Sequence, residues 1–320
     1  MKLFKDFNLG LSWYLANTFN QTFDPQISVS SGYTTIYLQT GYVRNTGLEL
    51  SLGYGHTWNN NFRWDSNFTL SHNKNKIKEL VRDYVHPETG ELINKDRLDV
   101  GGLGKARFIL KEGGTLGDLY TQSDLKRDDN GMVDIDPTGI VAIENNLPDI
   151  KLGSVFPKAN LAWSNHFSWK GISLSALFTA RIGGIVYSAT EAAMDQYGVS
   201  ERSALARDNG GVLVNNRTLV DAQNYYTTIG SESGLPQYYT YNATNVRLQE
   251  ASIGYLIPRK WLGNVCDIQV SVIGRNLWMI YNKAPFDPES VATTDNYYQG
   301  IDYFMLPSTR NIGFNVKINF

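Results

Sequence analysis

The sequence lacks the features that define several large classes of protein. None of its apolar runs approaches the ~18 residues that a membrane-spanning helix needs, which excludes a helical membrane protein. A single cysteine, Cys266, excludes an internal disulfide bond and a cysteine-based zinc site. A net charge of −2 over 320 residues gives no indication of nucleic acid or of an anionic membrane surface as a partner.

Signatures of catalysis and of metal binding are also missing. The 4 histidines never fall in metal-ligand spacing, and no Gly-x-Ser-x-Gly element supplies a hydrolase nucleophile. The acidic segment 124–136 has oxygen ligands and a turning glycine, but aligning Gly131 with the invariant EF-hand glycine puts Lys126 first and Pro137 last. We therefore expect no enzyme, no cofactor and no metal site, and calcium binding by segment 124–136 stays an open question.

What the sequence does contain is alternation of apolar and polar residues, clearest over residues 312–320. A period of two puts Ile312, Phe314, Val316, Ile318 and Phe320 on one face of a strand, and Gly313, Asn315, Lys317 and Asn319 on the other. The pattern recurs at 9–15, 48–54, 62–71, 161–169, 172–180, 245–256 and 267–278. With segments 106–110 and 117–120, the sequence predicts an all-β fold of about ten antiparallel strands. Alternation is lost near Glu250, which indicates a bulge.

Charged residues stand in the middle of the predicted strands, on their polar faces. Such charges cost free energy in a protein core and are tolerated in a water-filled lumen. The polar faces therefore favour a transmembrane β-barrel, apolar toward lipid and polar toward the lumen. The predicted lumen wall includes Glu49, Arg63, Asp65, Asn67, Gln269 and Arg275.

The predicted connections differ sharply in length. Short turns at 57–61, 170–171 and 258–263 lie beside Trp58, Trp169 and Trp261, which suit an interfacial aromatic girdle. Long polar loops are predicted at about 72–104, 124–155, 183–243 and 281–308. Counting strands back from residue 320 puts every short turn at one end and every long loop at the other. This asymmetry is typical of bacterial outer-membrane barrels, in which the long loops are extracellular.

Several motifs then carry a family resemblance. Residues 44–50 (RNTGLEL) resemble the RN-x-G-[IV]-E-L strand of SusC/RagA-like TonB-dependent outer-membrane transporters. Further matches follow in the family's order at 112–120, 153–158, 165–174, 246–258 and 275–278, the last followed by 286–289. The ordered set is far more specific than any one motif and extends over nearly the whole chain.

The resemblance implies a barrel of 22 antiparallel strands around an N-terminal plug, of which this chain is the C-terminal portion without the plug. It also implies a location in the bacterial cell outer membrane and TonB-dependent uptake of a glycan or a peptide. The partners implied are a SusD-like lid lipoprotein, TonB acting through the missing N-terminal part, and outer-membrane lipid. Residues 1–6 contain no apolar signal-peptide region, so we expect a fragment of a longer polypeptide.

Substrate contact is expected from aromatic and acidic residues in the two last long loops, because aromatic faces stack on sugar rings and carboxylates accept hydroxyl hydrogen bonds. The candidates are Tyr197, Tyr225, Tyr226, Tyr238, Tyr239, Asp287, Tyr297 and Tyr298. The alternative is that these tyrosines pack the loops together, hold the lid partner or stand in the outer girdle. For the chain as a whole, the alternatives are a surface glycan-binding β-sheet module without transport, and a β hydrolase with a carboxylate pair about 5–10 Å apart.

Overall fold

A computed structural model describes residues 2–23, 32, 34, 37–39, 41–85, 90, 92–293 and 298–319. Its largest element is a sheet of nine antiparallel strands, numbered here in chain order together with the shorter strands given below. They pair in the order β1 (Lys2–Phe4), β2 (Phe7–Phe19), β5 (Tyr42–Thr57), β6 (Arg63–Glu79), β15 (Ala159–Trp169), β16 (Ile172–Ile182), β21 (Asn245–Ile257), β22 (Asp267–Asn282) and β24 (Asn311–Asn319).

Strand register brings the apolar residues of all the long strands to one face of this sheet. Leu50 pairs with Leu11 and Leu70, and Val272 pairs with Ile253 and Phe314. These side chains are not covered by protein, since Trp13 is 67% exposed and Phe314 is 83% exposed. So large an exposed apolar band is what a bilayer-facing sheet requires. The predicted alternation is confirmed, except at Phe320, which lies outside the described residues.

The bulge predicted near Glu250 is also confirmed. The pairing of β21 with β22 shifts between Leu248 and Glu250, and its pairing with β16 shifts between Leu177 and Phe178. One extra residue in β21 restores Leu248 and Ala251 to the same apolar face, which a strict period of two would not allow.

Short and long connections lie at opposite ends of the barrel sheet, as expected. The short ones are 5–6, 58–62, 170–171 and 258–266, and the long ones are 20–41, 80–158, 183–244 and 283–310. One expectation is wrong. Segments 106–110 and 117–120 are not barrel strands but members of a separate four-stranded sheet, so the predicted loops 72–104 and 124–155 belong to one connection. Both faces of this small sheet are buried, as Phe108, Ile109 and Leu110 show, and alternation alone does not tell which sheet a strand joins.

The long connections fold into structure of their own. Their strands are β3 (Thr22–Phe23), β4 (Leu38–Gln39), β7 (Val81–Val85), β8 (Leu92–Lys95), β9 (Arg97–Leu103), β10 (Ala106–Lys111), β11 (Asp118–Thr121), β12 (Asp124–Leu125), β13 (Ile143–Glu144), β14 (Ile150–Ser154), β17 (Ile185–Ser188), β18 (Val212–Val214), β19 (Thr218–Val220), β20 (Thr240–Asn242) and β23 (Ile301–Asp302). Their helices are α1 (Ala189–Gln196), α2 (Glu201–Asp208) and α3 (Ala222–Gly230), and single 3₁₀ turns occur at Ser231–Ser233, Pro236–Tyr238 and Arg259–Leu262. No helix within these described ranges is long and apolar enough to cross a membrane.

Most of the hydrophobic core lies in these connections, and the barrel strands add Val43 of β5 and Ile77 of β6. The sheet β14-β11-β10-β9 contributes Phe108 and Leu119, and the helical connection contributes Tyr187, Leu235 and Tyr239, all with no exposed surface. Together with smaller apolar residues they form one continuous cluster. The long connections are therefore packed bodies, which hold their side chains in fixed positions above the barrel wall.

Adjacent residues of β24 test which face of the sheet meets lipid. We expect Phe314→Arg to cost about 2–4 kcal/mol of folding free energy in bilayers, because it puts a charge on the apolar face. Asn315→Arg, on the polar face of the same strand, is expected to change it little. Folding of the full-length protein into lipid vesicles, followed by denaturant titration, measures both values. Equal effects of the two substitutions would contradict the assignment of the faces.

Candidate functional site

The polar face of the barrel sheet lines three adjoining hollows of about 770, 600 and 630 Å³. We name them the turn-side hollow, the middle hollow and the loop-side hollow, in order from the short turns to the long connections. Gly10 and Ser51 line both of the first two, and Ser71 and Asn160 line both of the last two. The hollows therefore form one polar path along the strands, from one end of the wall to the other.

Charges of both signs line the turn-side hollow, and most are paired. Arg63 lies 2.6 Å from Asp65, and Glu250 accepts a hydrogen bond of 2.8 Å from Arg275. Asn67 lines the same hollow, as the polar pattern of β6 predicted. Exposed pairs of this kind contribute little to stability, so the charges are available to a polar ligand.

The charged residues of the middle hollow are less completely paired than those of the turn-side hollow. Glu49 lines it without a hydrogen-bond or ion-pair partner among the described residues. Arg181 donates from Nη2 to the carbonyl of Val155 at 2.7 Å, while its buried Nε has no partner in the described part of the chain. Glu289 also lines this hollow and lies 3.4 Å from Arg247. The sequence does not predict Arg181 as a lining residue, because the predicted strand ends at residue 180 and β16 extends to Ile182.

Asp287 does not face the path. Its carboxylate receives Arg247 Nη2 at 2.8 Å, and Arg247 is almost wholly buried. Burial acts to raise the pKa of Asp287, but hydrogen bonds from Arg247 and from the N–H of Glu289 outweigh it and hold that pKa below its ordinary value. Asp287 is therefore a largely buried counter-ion that ties connection 283–310 to the top of β21, and its predicted contact with substrate stays a prediction.

Buried Asp195 organises the helical connection 183–244. Its carboxylate accepts hydrogen bonds from Ser200 at 2.5 Å, from Arg202 Nε at 2.9 Å and from the Tyr239 hydroxyl at 2.9 Å. Ser200 also caps α2 by accepting from the N–H of Ser203. Burial acts to lower the pKa of Arg202, and the contact with Asp195 more than compensates, so that pKa is raised. The end of α1, the start of α2 and the segment after α3 are thus joined at one carboxylate.

The predicted tyrosines do not share one site. Tyr225, Tyr226 and Tyr238 are partly buried against the loop core, and burial is the main reason that the pKa of each hydroxyl is raised. Tyr239 has no exposed surface, and its hydroxyl donates a hydrogen bond to Asp195, so its ring packs in the core of the connection. The burial of these four tyrosines agrees with the alternative in which tyrosines pack the loops together.

Two predicted tyrosines remain accessible. Tyr197 is 77% exposed and borders a cavity of about 260 Å³ that Tyr226 and Arg207 also line. Tyr298 is 41% exposed, and its ring centroid lies 6.2 Å from that of Phe108. Tyr297 lies outside the described residues. Tyr197 and Tyr298 belong to different connections, and Tyr298 does not line the cavity that Tyr197 borders.

Two carboxylates of the acidic segment 124–136 accept hydrogen bonds from nearby backbone N–H groups. Asp128 accepts from the N–H groups of Asn130 and Met132, each at 2.9 Å, and Asp136 repeats this arrangement eight residues later. Lys126 lies 2.6 Å from Asp134. In the part of the chain that the structure describes, no group of three or more His, Cys, Asp or Glu side chains is placed to hold a metal ion. The oxygens that suggested calcium are turn-forming groups here.

The asparagines of the loop-side hollow were missed because β6 was expected to end near Ser71. The strand continues to Glu79, which places Asn73 and Asn75 on the polar face, opposite Gly47 and Asn45. The signal that could have found them is the continued two-residue spacing of Ser71, Asn73 and Asn75. The apolar residues that define the other face stop at Leu70, so the apolar pattern ends before the strand does.

Known proteins resemble this chain in sequence and in structure. No protein-family model matches the chain. TonB-dependent receptor P3 of Formosa agariphila is 25% identical over 342 residues, and TonB-dependent receptor P26 of the same organism is 24% identical over 336 residues. Each match covers 97% of this chain and 32% of the relative, so the chain spans about a third of the length of these receptors.

Solved structures show the same fold. The RagAB peptide importer in its closed-closed state superimposes on 98% of this chain and 34% of its own chain, with a TM-score of 0.67 at 18% identity. The open-open state gives a TM-score of 0.66 at 17% identity. The nine-stranded sheet is therefore part of an antiparallel β-barrel. The resemblance to SusC/RagA-like TonB-dependent transporters is confirmed over nearly the whole chain.

Replacing the buried carboxylate of connection 183–244 tests its organising role. We expect Asp195→Asn to lower the free energy of opening of segment 189–208 by about 2 kcal/mol, because Arg202 loses its counter-ion. Amide hydrogen exchange of the full-length protein, read over peptides from α1 and α2, measures this value. Asp208→Asn, at an exposed position of α2, is the matched control. Equal exchange in both variants would contradict the role of Asp195.

Acid sensitivity is expected at the four-stranded loop sheet. Asp149 lies 2.7 Å from Arg97 and 2.9 Å from Lys111, and chiefly its hydrogen bond with Arg97 lowers its pKa to about 2. The unfolded pKa is about 4, so this stabilisation is complete above that pH and disappears as pH falls toward 2, a loss of about 2 kcal/mol.

Hydrogen exchange of segment 97–111 between pH 5 and pH 2 tests this expectation. Asp149→Asn should remove the acid-dependent part of its opening, whereas Glu144→Gln, at an exposed carboxylate nearby, should leave it in place. A pH profile unchanged by Asp149→Asn would show that another group is responsible.

Proposed function

We propose that the protein carrying this chain is the barrel component of a TonB-dependent outer-membrane nutrient transporter, and that this chain forms the C-terminal part of the barrel wall. The observation that carries the proposal is the two-sided sheet. One face is an exposed apolar band over the long strands, and the other lines a polar path of three adjoining hollows. A sheet of this kind suits a wall between lipid and water. The similarity to proteins named TonB-dependent receptors supports the same assignment.

In this proposal the wall residues provide the polar surface past which a substrate travels, and the remaining strands and a plug come from parts of the protein outside this chain. A barrel cannot leave sheet edges unpaired in lipid, so the edges at β1 and β24 require further strands. Energy would reach the transporter from TonB through the N-terminal part. A SusD-like lid lipoprotein is the proposed partner above the packed connections.

The proposed substrate is an oligosaccharide or a peptide. The RagAB neighbour is named a peptide importer, which supports a peptide. Two carboxylates, those of Glu49 and Glu289, line the middle hollow, which suits hydroxyl or ammonium groups. Of the tyrosines proposed as contacts, Tyr197 and Tyr298 have the exposed surface that contact would require. The mixed charges of the turn-side and middle hollows suit passage better than tight retention.

Uptake by cells tests the proposal. Deleting the whole gene from the native host should abolish uptake of one oligosaccharide or peptide among the nutrients offered, and restoring the full-length gene should recover it. Deleting tonB, or collapsing the proton gradient with a protonophore, should have the same effect as deleting the gene. Surface binding of a glycan that persists without TonB, with no uptake at all, would instead indicate a binding module.

A further inference from the structure

The loop-side hollow differs from the other two in its chemistry. None of the side chains that line it carries a charge, whereas the turn-side and middle hollows are lined by Asp, Glu, Lys and Arg residues. Four of its seven polar lining residues are asparagines, Asn45, Asn73, Asn75 and Asn160, and the other three are Thr18, Gln21 and Ser71. The hollow lies where the barrel wall meets connection 80–158, so it is the first part of the path below the packed connections.

Three of the amides hold each other in place. Asn45 Oδ1 accepts hydrogen bonds from Asn73 Nδ2 at 3.2 Å and from Asn75 Nδ2 at 3.0 Å. Asn75 is nearly buried, and its Oδ1 accepts from the N–H of Leu116 at 2.9 Å, which anchors the group to the connection above. The amides are thus fixed before any ligand arrives, which reduces the entropy cost of binding.

Fixing the amides leaves several of their hydrogen-bonding groups free. Asn45 Nδ2 and Asn73 Oδ1 have no partner among the described residues, and neither end of the exposed Asn160 amide has one within those ranges. The hollow therefore offers donors and acceptors side by side. Leu116, Phe156 and Pro157 add an apolar side to it.

This arrangement selects for ligand groups that both donate and accept hydrogen bonds and carry no charge. Amide groups and sugar hydroxyls have this property. A charged group that left water for this hollow would find no counter-ion, and burying an uncompensated charge is costly. The nearest charged side chains on the path line the middle hollow.

We propose that the loop-side hollow is a binding subsite for an uncharged stretch of the transported ligand, held through amide or hydroxyl groups by Asn45, Asn73 and Asn160. The proposal rests on the proposed function, in which this path carries a substrate. Charged groups of the same ligand would be left to the middle hollow. The connection-side end of the path then selects for neutral hydrogen-bonding groups before the ligand reaches the charged residues of the middle hollow.

Two uncharged probes test the subsite with purified full-length protein: maltotetraose, which offers hydroxyls, and N-acetylated, C-amidated tetraglycine, which offers amides. Isothermal titration calorimetry should detect binding of at least one, and the probe that binds identifies the source of the hydrogen bonds. Asn73→Leu and Asn160→Leu should each weaken binding by about tenfold, the effect of losing one or two hydrogen bonds.

Asn315→Leu, an asparagine on the same polar face but outside the three hollows, is the matched control and should leave binding unchanged. Asn73→Asp keeps the shape of the side chain while replacing a donor by a charge, so it should also weaken binding and serves where a leucine variant fails to assemble. Migration of unheated protein on SDS gels verifies that each barrel is folded.

The proposal is overturned when neither probe binds at millimolar concentration, or when the asparagine variants bind as the wild type does. Its failure is separable from that of the transport proposal. TonB-dependent uptake with asparagine-independent binding would remove the subsite and leave transport standing. Asparagine-dependent binding without any TonB-dependent uptake would support the subsite and contradict the transport proposal.

Discussion

Continuous backbone pairing across antiparallel strands is the constraint on which the rest of this structure depends. Inside a bilayer there is no water to satisfy a free N–H or carbonyl group, so each strand must pair along its whole length with both neighbours. That pairing sets the register, and because side chains alternate, the register sets which residues face lipid and which face the lumen. At the bulge of β21 one extra residue keeps Leu248 and Ala251 on the apolar face. The polar path exists because the apolar face is kept consistent over neighbouring strands.

The packed connections depend on a different balance. Their stability comes from apolar burial around residues such as Phe108 and Leu235, and from a few largely buried carboxylates that accept several hydrogen bonds. Asp195 and Asp287 each hold an arginine and join segments that are distant in the chain. Unpaired, such carboxylates would destabilise the fold, and paired they specify how the connections meet the wall. The asparagine group obeys the same logic without charge, since Asn75 links β6 to Leu116 in the connection above.

The sequence predicts structure best where a local rule has the same structural consequence in every context. Alternation located the barrel strands, and its loss near Glu250 located the bulge. The sequence predicts structure least well where burial decides the outcome. Phe108 and Leu119 read as barrel strand residues, yet they lie in a sheet buried on both faces. Tyr239 and Asp287 read as exposed ligand contacts, yet one packs the loop core and the other pairs with buried Arg247. Composition reports which residues a loop contains and not which of them face inward.

The amino-acid sequence by itself determined the two faces of the wall, the segregation of short turns from long connections, and the kinship with TonB-dependent receptors. These features follow from side-chain order along single strands and from motifs of a few residues. Only the tertiary structure decided that Gly10, Ser51, Ser71 and Asn160 join three hollows into one path, and that Asn45 meets Asn73 and Asn75. Those contacts join residues from different strands, and their positions depend on register and curvature, which no single segment of the chain encodes.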